Sequence, residues 1–120
     1  MAGSSAELHE DPSVLRAETI ERHRATVSVL EELEAIDWYD QRVDATGDAE
    51  LAAVLAHNRD EEKEHAAMTL EWLRRHDPVL DRHLRTYLFK QGDVLALEEQ
   101  ATSPSGEADD GTLGIGDLRT

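Results

Sequence analysis

Two stretches of the chain carry apolar residues three and four positions apart, the spacing that places side chains on one face of an α-helix. The first stripe follows Ala25, Val29, Glu32, Ile36, Tyr39 and Val43, and the second follows Leu51, Leu55, Asn58, Glu62, His65, Thr69 and Trp72. No stretch alternates with the two-residue period of a β-strand. The pattern therefore predicts an all-α protein that is built mainly from two long helices.

Helix start and stop signals divide the chain further. Asp11-Pro12 pairs an N-cap residue with proline at the first helical position, and Asp77-Pro78 repeats this signal. Between them, Thr46-Gly47-Asp48 has the composition of a helix end, a tight turn and a new N-cap. The predicted helices cover residues 12–44, 49–75 and 78–90. A helical domain over residues 12–92 is expected, with an antiparallel two-helix hairpin plus a short C-terminal helix.

The segments outside this domain have a different composition. Residues 1–11 are expected to form a flexible arm. Residues 93–112 contain six acidic residues and no lysine or arginine, together with serine, proline and glycine, which predicts a disordered acidic linker. The apolar residues of 113–120 follow this linker and indicate a docking peptide that cannot fold alone.

Composition narrows the classes of partner. With 12 basic and 27 acidic residues in 120, the formal net charge is −15, which disfavours nucleic acid and anionic membrane and attracts cations. The absence of cysteine excludes disulfides, zinc knuckles and thiol nucleophiles. No apolar run approaches the roughly 20 residues of a membrane span, and the N-terminus lacks the apolar core of a signal peptide. A cytoplasmic protein is expected.

Charged residues interrupt both apolar stripes at one level of the predicted hairpin. Glu32 lies fourteen residues before Thr46, and Glu62 lies sixteen residues after it. At about 1.5 Å per residue the two carboxylates should come within about 3 Å in height. His65 follows one turn later on the face of Glu62. Buried charge is costly unless it is paired or bound to metal, and carboxylate with imidazole suits iron, manganese and zinc alike.

One hairpin offers two carboxylates and one imidazole, which is too few ligands for two metal ions. Four-helix bundles with di-iron sites use a Glu from each of two helices and Glu-x-x-His from each of the other two. Two copies of the hairpin packed face to face would supply that set, with four carboxylates to balance two Fe(II). The competing interpretation is a chance Glu-x-x-His on the solvated face of an acidic helix.

At these residues the chain resembles the encapsulated ferritins, which are ferritin-like proteins packed inside encapsulin nanocompartments. The resemblance is densest over EELEAIDWYDQR at residues 31–42 and over HNRDEEKEHAAM at residues 57–68. The C-terminal LGIGDLR at residues 113–119 looks like an encapsulin cargo-loading peptide. The two signals are independent in sequence and indicate one family, so their combination is specific.

The resemblance implies a two-helix protomer that dimerises into a ferritin-like four-helix bundle, with two irons per dimer in a ferroxidase centre at the interface. It implies further assembly into a ring of dimers, typically a decamer. The iron ligands that it implies are Glu32, Glu62 and His65. The residues that match an outer metal-attracting site are Glu31, Glu34 and Trp38, and Tyr39 is expected to lie just behind the ligands. A solvated acidic face explains Glu31 and Glu34 about equally well, and interface packing does the same for Tyr39. A tryptophan such as Trp38 is most often a plain packing anchor.

The tail is expected to bind an encapsulin shell protein and so to place the protein inside a nanocompartment. Leu113, Ile115 and Leu118 are spaced to fill small pockets, while Gly114 and Gly116 let an extended backbone lie close to a groove. Arg119 completes the motif of the resemblance. Many tails on one ring would bind a multisubunit shell with avidity.

Two classes of function remain open at this point. The first is a ferroxidase that oxidises Fe(II) with dioxygen and feeds iron storage inside the shell. The alternative is a non-catalytic helical assembly module that binds divalent metal through the same residues. A peroxide-consuming di-iron protein of the rubrerythrin type is a weaker third, because a chain without cysteine lacks the rubredoxin iron that delivers electrons.

Overall fold

The computed structural model describes residues 7–103, and its regular elements are all helical. After a short 3₁₀ turn at Pro12–Val14 come α1 (Ala17–Ala45), α2 (Ala49–Arg75), α3 (Pro78–Tyr87) and α4 (Val94–Thr102). No strand occurs in this part of the chain, so the predicted all-α class is confirmed. The chain divides into two compact units at His76, and each is described by itself.

The first unit is the hairpin of α1 and α2, which pack against each other along their lengths. The three-residue loop Thr46–Asp48 joins them as predicted. The Asp48 side chain accepts a hydrogen bond from the backbone N–H of Leu51 at 2.9 Å, which caps α2. The Asp48 backbone N–H in turn donates to the Thr46 hydroxyl at 3.2 Å. Two polar side chains thus close the turn and start the second helix at Ala49.

The first helix starts later than the sequence predicts. Asp11 does cap Pro12–Val14, accepting from the Ser13 backbone N–H at 3.0 Å, but this turn is 3₁₀ and ends at Leu15. Leu15 and Arg16 are extended, and α1 begins at Ala17 without a side-chain cap. The Asp-Pro signal was therefore correct for a capped turn and wrong for the start of the long helix.

The second unit contains α3 and α4, which contact each other. Asp77 caps α3 by accepting from the Leu80 backbone N–H at 3.0 Å. The helix ends at Tyr87, three residues before the prediction, because Leu88 is extended and Phe89 has a φ of +61°.

The predicted linker begins with a helix rather than with disordered chain. The Asp93 side chain accepts from the Ala96 backbone N–H at 3.1 Å, and α4 follows from Val94 to Thr102. Composition was misleading here because Val94–Leu97 is an apolar run directly after an N-cap residue. The rest of the linker and the tail at 113–120 lie outside the described residues.

The protomer has a thin interior. Across residues 7–103, Leu73 is the only buried hydrophobic residue. The hairpin leaves large apolar side chains exposed on both of its helices, namely Leu30, Leu33, Trp38, Leu51, Val54, Met68 and Trp72. Exposed apolar surface of this kind is typical of a contact with another chain. None of the described helices combines the length and apolar character that a bilayer crossing requires.

Candidate metal centre

The three residues predicted as ligands come together on the hairpin. Glu32 lies in the middle of α1, and Glu62 and His65 lie one turn apart in the middle of α2. One ligand atom from each residue can be chosen so that all three lie within 4.8 Å of one another. Among residues 7–103, no other set of three or more carboxylate and imidazole side chains has its ligand atoms close enough to hold one metal ion.

The burial of the group places it at the edge of the hairpin rather than inside it. Glu32 and Glu62 are half-buried and His65 is exposed. The His65 Nδ1 lies 3.7 Å from the Glu62 Oε1, which is beyond an ordinary hydrogen bond. The three candidate ligands therefore neighbour one another without a hydrogen bond between Glu62 and His65, and one side of the group is open.

The surroundings of Glu32 indicate whether a metal ion would fit at this group. Its Oε1 atom is buried and makes no hydrogen bond. A buried polar atom without a partner costs about 1–3 kcal/mol, and more if it is charged. A cation held between Glu32, Glu62 and His65 would satisfy this oxygen, and carboxylate with imidazole is a donor set that iron accepts. The residues present thus fit a metal ion.

The other predicted site residues lie outside this group. Glu31, Glu34 and Trp38 are all exposed, and Trp38 retains 48% of its accessible surface. Tyr39 is half-buried two turns after Glu32. The tail residues Leu113, Gly114, Ile115, Gly116, Leu118 and Arg119 fall outside the described part of the chain.

Arg42 lies next to the two aromatic side chains of Trp38 and Tyr39, a contact that the sequence analysis did not predict. Its guanidinium carbon lies 5.7 Å from the centre of the Tyr39 ring and 6.0 Å from that of Trp38. Both separations are within the range of cation–π attraction. The spacing of three and four residues along α1 was a signal for this contact, because such residues are neighbours on a helix surface.

A second residue that the sequence did not predict, Arg59, links the two helices. Its Nη1 donates to the Asp40 Oδ1 at 2.9 Å, and its Nε donates to the Asp60 Oδ1 at 3.1 Å. These bonds raise the pKa of Arg59, and the bond from Arg59 lowers the pKa of Asp60. Nothing in the apolar pattern indicates which arginine of α2 reaches α1.

Near its C-terminal end, α2 holds a carboxylate with different surroundings. Glu71 accepts two hydrogen bonds from Arg74, both at 2.8 Å, and one from Arg75 at 2.7 Å. These bonds lower the pKa of Glu71 to about 2. Its charge is therefore satisfied by the protein itself.

Comparison with known proteins places this hairpin in a family. The EncFtn-like family matches residues 7–91. The "Encapsulated ferritin-like protein" of Rhodospirillum rubrum is 59% identical over 129 residues, covering 99% of this chain and 92% of that protein. The "Encapsulin nanocompartment cargo protein" of Myxococcus xanthus is 31% identical over 104 residues, covering 78% and 80%.

A solved structure has the same fold. The crystal structure of a protein from Nitrosomonas europaea superposes with a TM-score of 0.71 at 56% sequence identity, covering 72% of this chain and 96% of the other. The sequence match to the family includes the whole hairpin and the three clustered candidate ligands. The chain therefore belongs to the EncFtn-like family.

Proposed function

We propose that the protein is a ferroxidase, which oxidises Fe(II) to Fe(III) with dioxygen at a di-iron centre formed across a dimer interface. One observation carries this proposal. Glu32, Glu62 and His65 bring ligand atoms within 4.8 Å on one open face, and Glu32 holds a buried oxygen without a partner. Iron is here the substrate, which binds, is oxidised and leaves.

Ligand number argues for two copies of the chain. A di-iron site in a four-helix bundle takes four carboxylates and two histidines, twice what one hairpin supplies. A second hairpin on the open face would provide the other half. Four carboxylates also balance the charge of two Fe(II).

Each ligand residue has a proposed role. Glu62 would bridge the two metal ions, while Glu32 and His65 would each bind one of them. Bound iron supplies the redox chemistry, because each Fe(II) gives one electron to dioxygen. The carboxylates favour the higher charge of the ferric product, which helps to drive the oxidation. Tyr39 or Asn58 is proposed to orient His65 through a hydrogen bond when the centre is complete.

The exposed acidic residues of α1 have a proposed role before oxidation. Glu31, Glu34 and Trp38 lie close in sequence to Glu32 and face solvent. A cation approaching a protein with a net charge of −15 would be attracted to such a surface. We assign these residues to an outer site that delivers Fe(II) to the centre.

The partner is proposed to be an encapsulin shell, with the protein inside a nanocompartment of the cytoplasm. Two relatives are named as encapsulated or as nanocompartment cargo, and residues 113–120 resemble a cargo-loading peptide. The dimers are proposed to assemble into a ring, typically a decamer. Deleting residues 113–120 should abolish co-purification with the shell and spare iron oxidation by the free protein. Loss of oxidation in the free deletion variant would contradict this division of labour.

The decisive test of the ferroxidase proposal is aerobic Fe(II) oxidation by the purified protein. We expect fast oxidation by the parent, and background rates for Glu62→Ala and His65→Ala. Glu50→Ala is the matched control, since Glu50 is an exposed carboxylate of α2 that lies outside the ligand group. Full activity in both ligand variants would move the reaction to another site.

A non-catalytic assembly module is the second candidate, and the thin interior of the protomer favours it. The hairpin has one buried hydrophobic residue among those described, so a metal ion that joins two copies would add substantially to its stability. This candidate uses the same ligands and predicts metal binding without consumption of dioxygen. Oxygen uptake by the iron-loaded protein separates the two functions.

A further inference from the structure

An ion pair crosses from one helix of the hairpin to the other. Arg59 on α2 donates from Nη1 to the Asp40 Oδ1 on α1 at 2.9 Å, and Arg59 is also held on its own helix by Asp60 at 3.1 Å. The Arg59 side chain retains only 23% of its accessible surface. Its guanidinium is thus fixed at two points, one on each helix.

The apolar contacts of the hairpin leave its register weakly specified. Hydrophobic attraction is non-directional, and both stripes repeat every three or four residues. Rotating α2, or sliding it by one turn, would replace each apolar neighbour with another. Large buried side chains would resist this motion, but Leu73 is the only buried hydrophobic residue in the described part of the chain. The Thr46–Asp48 loop restrains one end of the hairpin only.

The ion pair lies between that loop and the ligands. Arg59 precedes Glu62 by three residues, so a rotation of α2 that moves one side chain also moves the other. Asp40 and Glu32 lie two turns apart on α1 and move together in the same way. The separation of Glu32 from Glu62 is therefore coupled to the separation of Asp40 from Arg59.

We propose that Arg59 and Asp40 are positioning residues for the metal centre. By fixing the rotation and register of α2 against α1, the pair holds Glu32, Glu62 and His65 at metal-binding distance. Neither residue belongs to the candidate ligand group. This inference rests on the proposed function and deepens it, since it assigns the alignment of the ligands to a second, separate pair of residues.

The test is a double-mutant cycle read by Co(II) binding, which needs no turnover and is followed by visible absorption. The variants are Arg59→Gln, Asp40→Asn and their combination, compared at a protein concentration where all have the same native mass. Each single change should weaken Co(II) binding about two- to fivefold, the range of a partly exposed ion pair. The combined variant should bind no more weakly than the poorer single variant, because one interaction is lost only once.

Arg24→Gln is the matched control, since Arg24 pairs with Glu21 at 2.8 Å within α1 and joins no second helix. It should leave Co(II) binding unchanged. Far-ultraviolet circular dichroism verifies folding, and Asp40→Asn provides a mild variant because the Asp40 side chain is 54% exposed. Unchanged binding in both single variants, or additive losses in the combination, would overturn the positioning role.

The outcomes separate this inference from the function on which it rests. If Glu62→Ala binds Co(II) as well as the parent does, the metal centre itself is wrong and the positioning role falls with it. If Co(II) binding follows the cycle but Fe(II) oxidation stays at background, the positioning role stands and the ferroxidase proposal fails.

Discussion

Two regions of the hairpin hold carboxylates in opposite ways. Near the end of α2, Glu71 accepts three hydrogen bonds from Arg74 and Arg75, and its pKa falls to about 2. In the middle of α1, Glu32 keeps one buried oxygen without any hydrogen bond. The first carboxylate is neutralised by its own chain, and the second is not.

The difference separates a structural carboxylate from one that is available to an external cation. Hydrogen bonds from the arginines stabilise the ionised carboxylate of Glu71, and a metal ion could bind it only by displacing them. Glu32 has no comparable hydrogen bonds from the described residues, so a bound cation would stabilise its carboxylate more. Glu71 therefore serves as an internal control for experiments on Glu32.

The largest expected contrast is in metal chemistry. Glu32→Gln removes the charge of a proposed ligand and should reduce Fe(II) oxidation to the buffer background, whereas Glu71→Gln should leave oxidation unchanged. Stopped-flow absorbance after mixing with Fe(II) in air measures both rates. Equal losses in the two variants would show that the satisfied carboxylate also serves the metal, and the comparison would break.

Association should respond to metal through the same residue. Like charges from two copies would crowd one interface, so we expect Fe(II) under anaerobic conditions to promote dimers at low protein concentration. At a metal concentration about 100-fold above the dissociation constant, the gain is about 2.7 kcal/mol per site. Native mass spectrometry should show this shift in the parent and in Glu71→Gln, but not in Glu32→Gln. An identical mass distribution with and without Fe(II) in the parent would contradict it.

Stability without metal should change in opposite directions at the two positions. Glu32→Met replaces a buried oxygen that lacks a partner and should stabilise the chelator-treated protein by about 1 kcal/mol, or roughly 4–8 °C in Tm for a domain of this size. Glu71→Met removes a partly exposed ion-pair network and should destabilise it by up to about 1 kcal/mol. Thermal unfolding in excess chelator measures both. A lower Tm for Glu32→Met would mean that its carboxylate is satisfied after all.

The smallest expected effect is on the pH dependence of the end of α2. Because the pKa of Glu71 is lowered from 4.5 to about 2, its contribution to stability is present above pH 4.5 and is lost as the pH falls toward 2. The hydrogen-exchange protection of the last turn of α2, corrected for the intrinsic pH dependence of amide exchange, should therefore fall across this range in the parent. Glu71→Gln should exchange faster at neutral pH and lose that part of the pH dependence.

The sequence was informative wherever helical period and a short loop decide the outcome. Glu32 and Glu62 could be placed at one level because a three-residue loop and a constant rise per residue fix their heights to within about one turn of helix. Arg59 and Arg74 were out of reach of this reasoning, since long side chains choose partners by local rotamers and competing carboxylates. In an acidic chain many such partners compete, and spacing alone does not select among them.

The prediction of disorder at α4 was wrong because a local signal was again overlooked. Acidic composition without basic residues predicted a linker over 93–112, but a capping aspartate and the four apolar residues after it were enough for nine residues of helix. Local signals outweighed average composition at this point of the chain. The outcome of the linker beyond it stays a prediction.

One hairpin presents only three candidate ligand side chains on an open edge, and under the proposed function this has a consequence for the living cell. If two chains must meet to complete a centre, activity at low concentration should rise with the square of the amount of protein. A newly made, dispersed chain would then leave cytosolic iron and oxygen largely undisturbed. If the chain is packed into a shell as proposed, crowding many copies into one small volume would switch the reaction on in the place where its insoluble product can be contained.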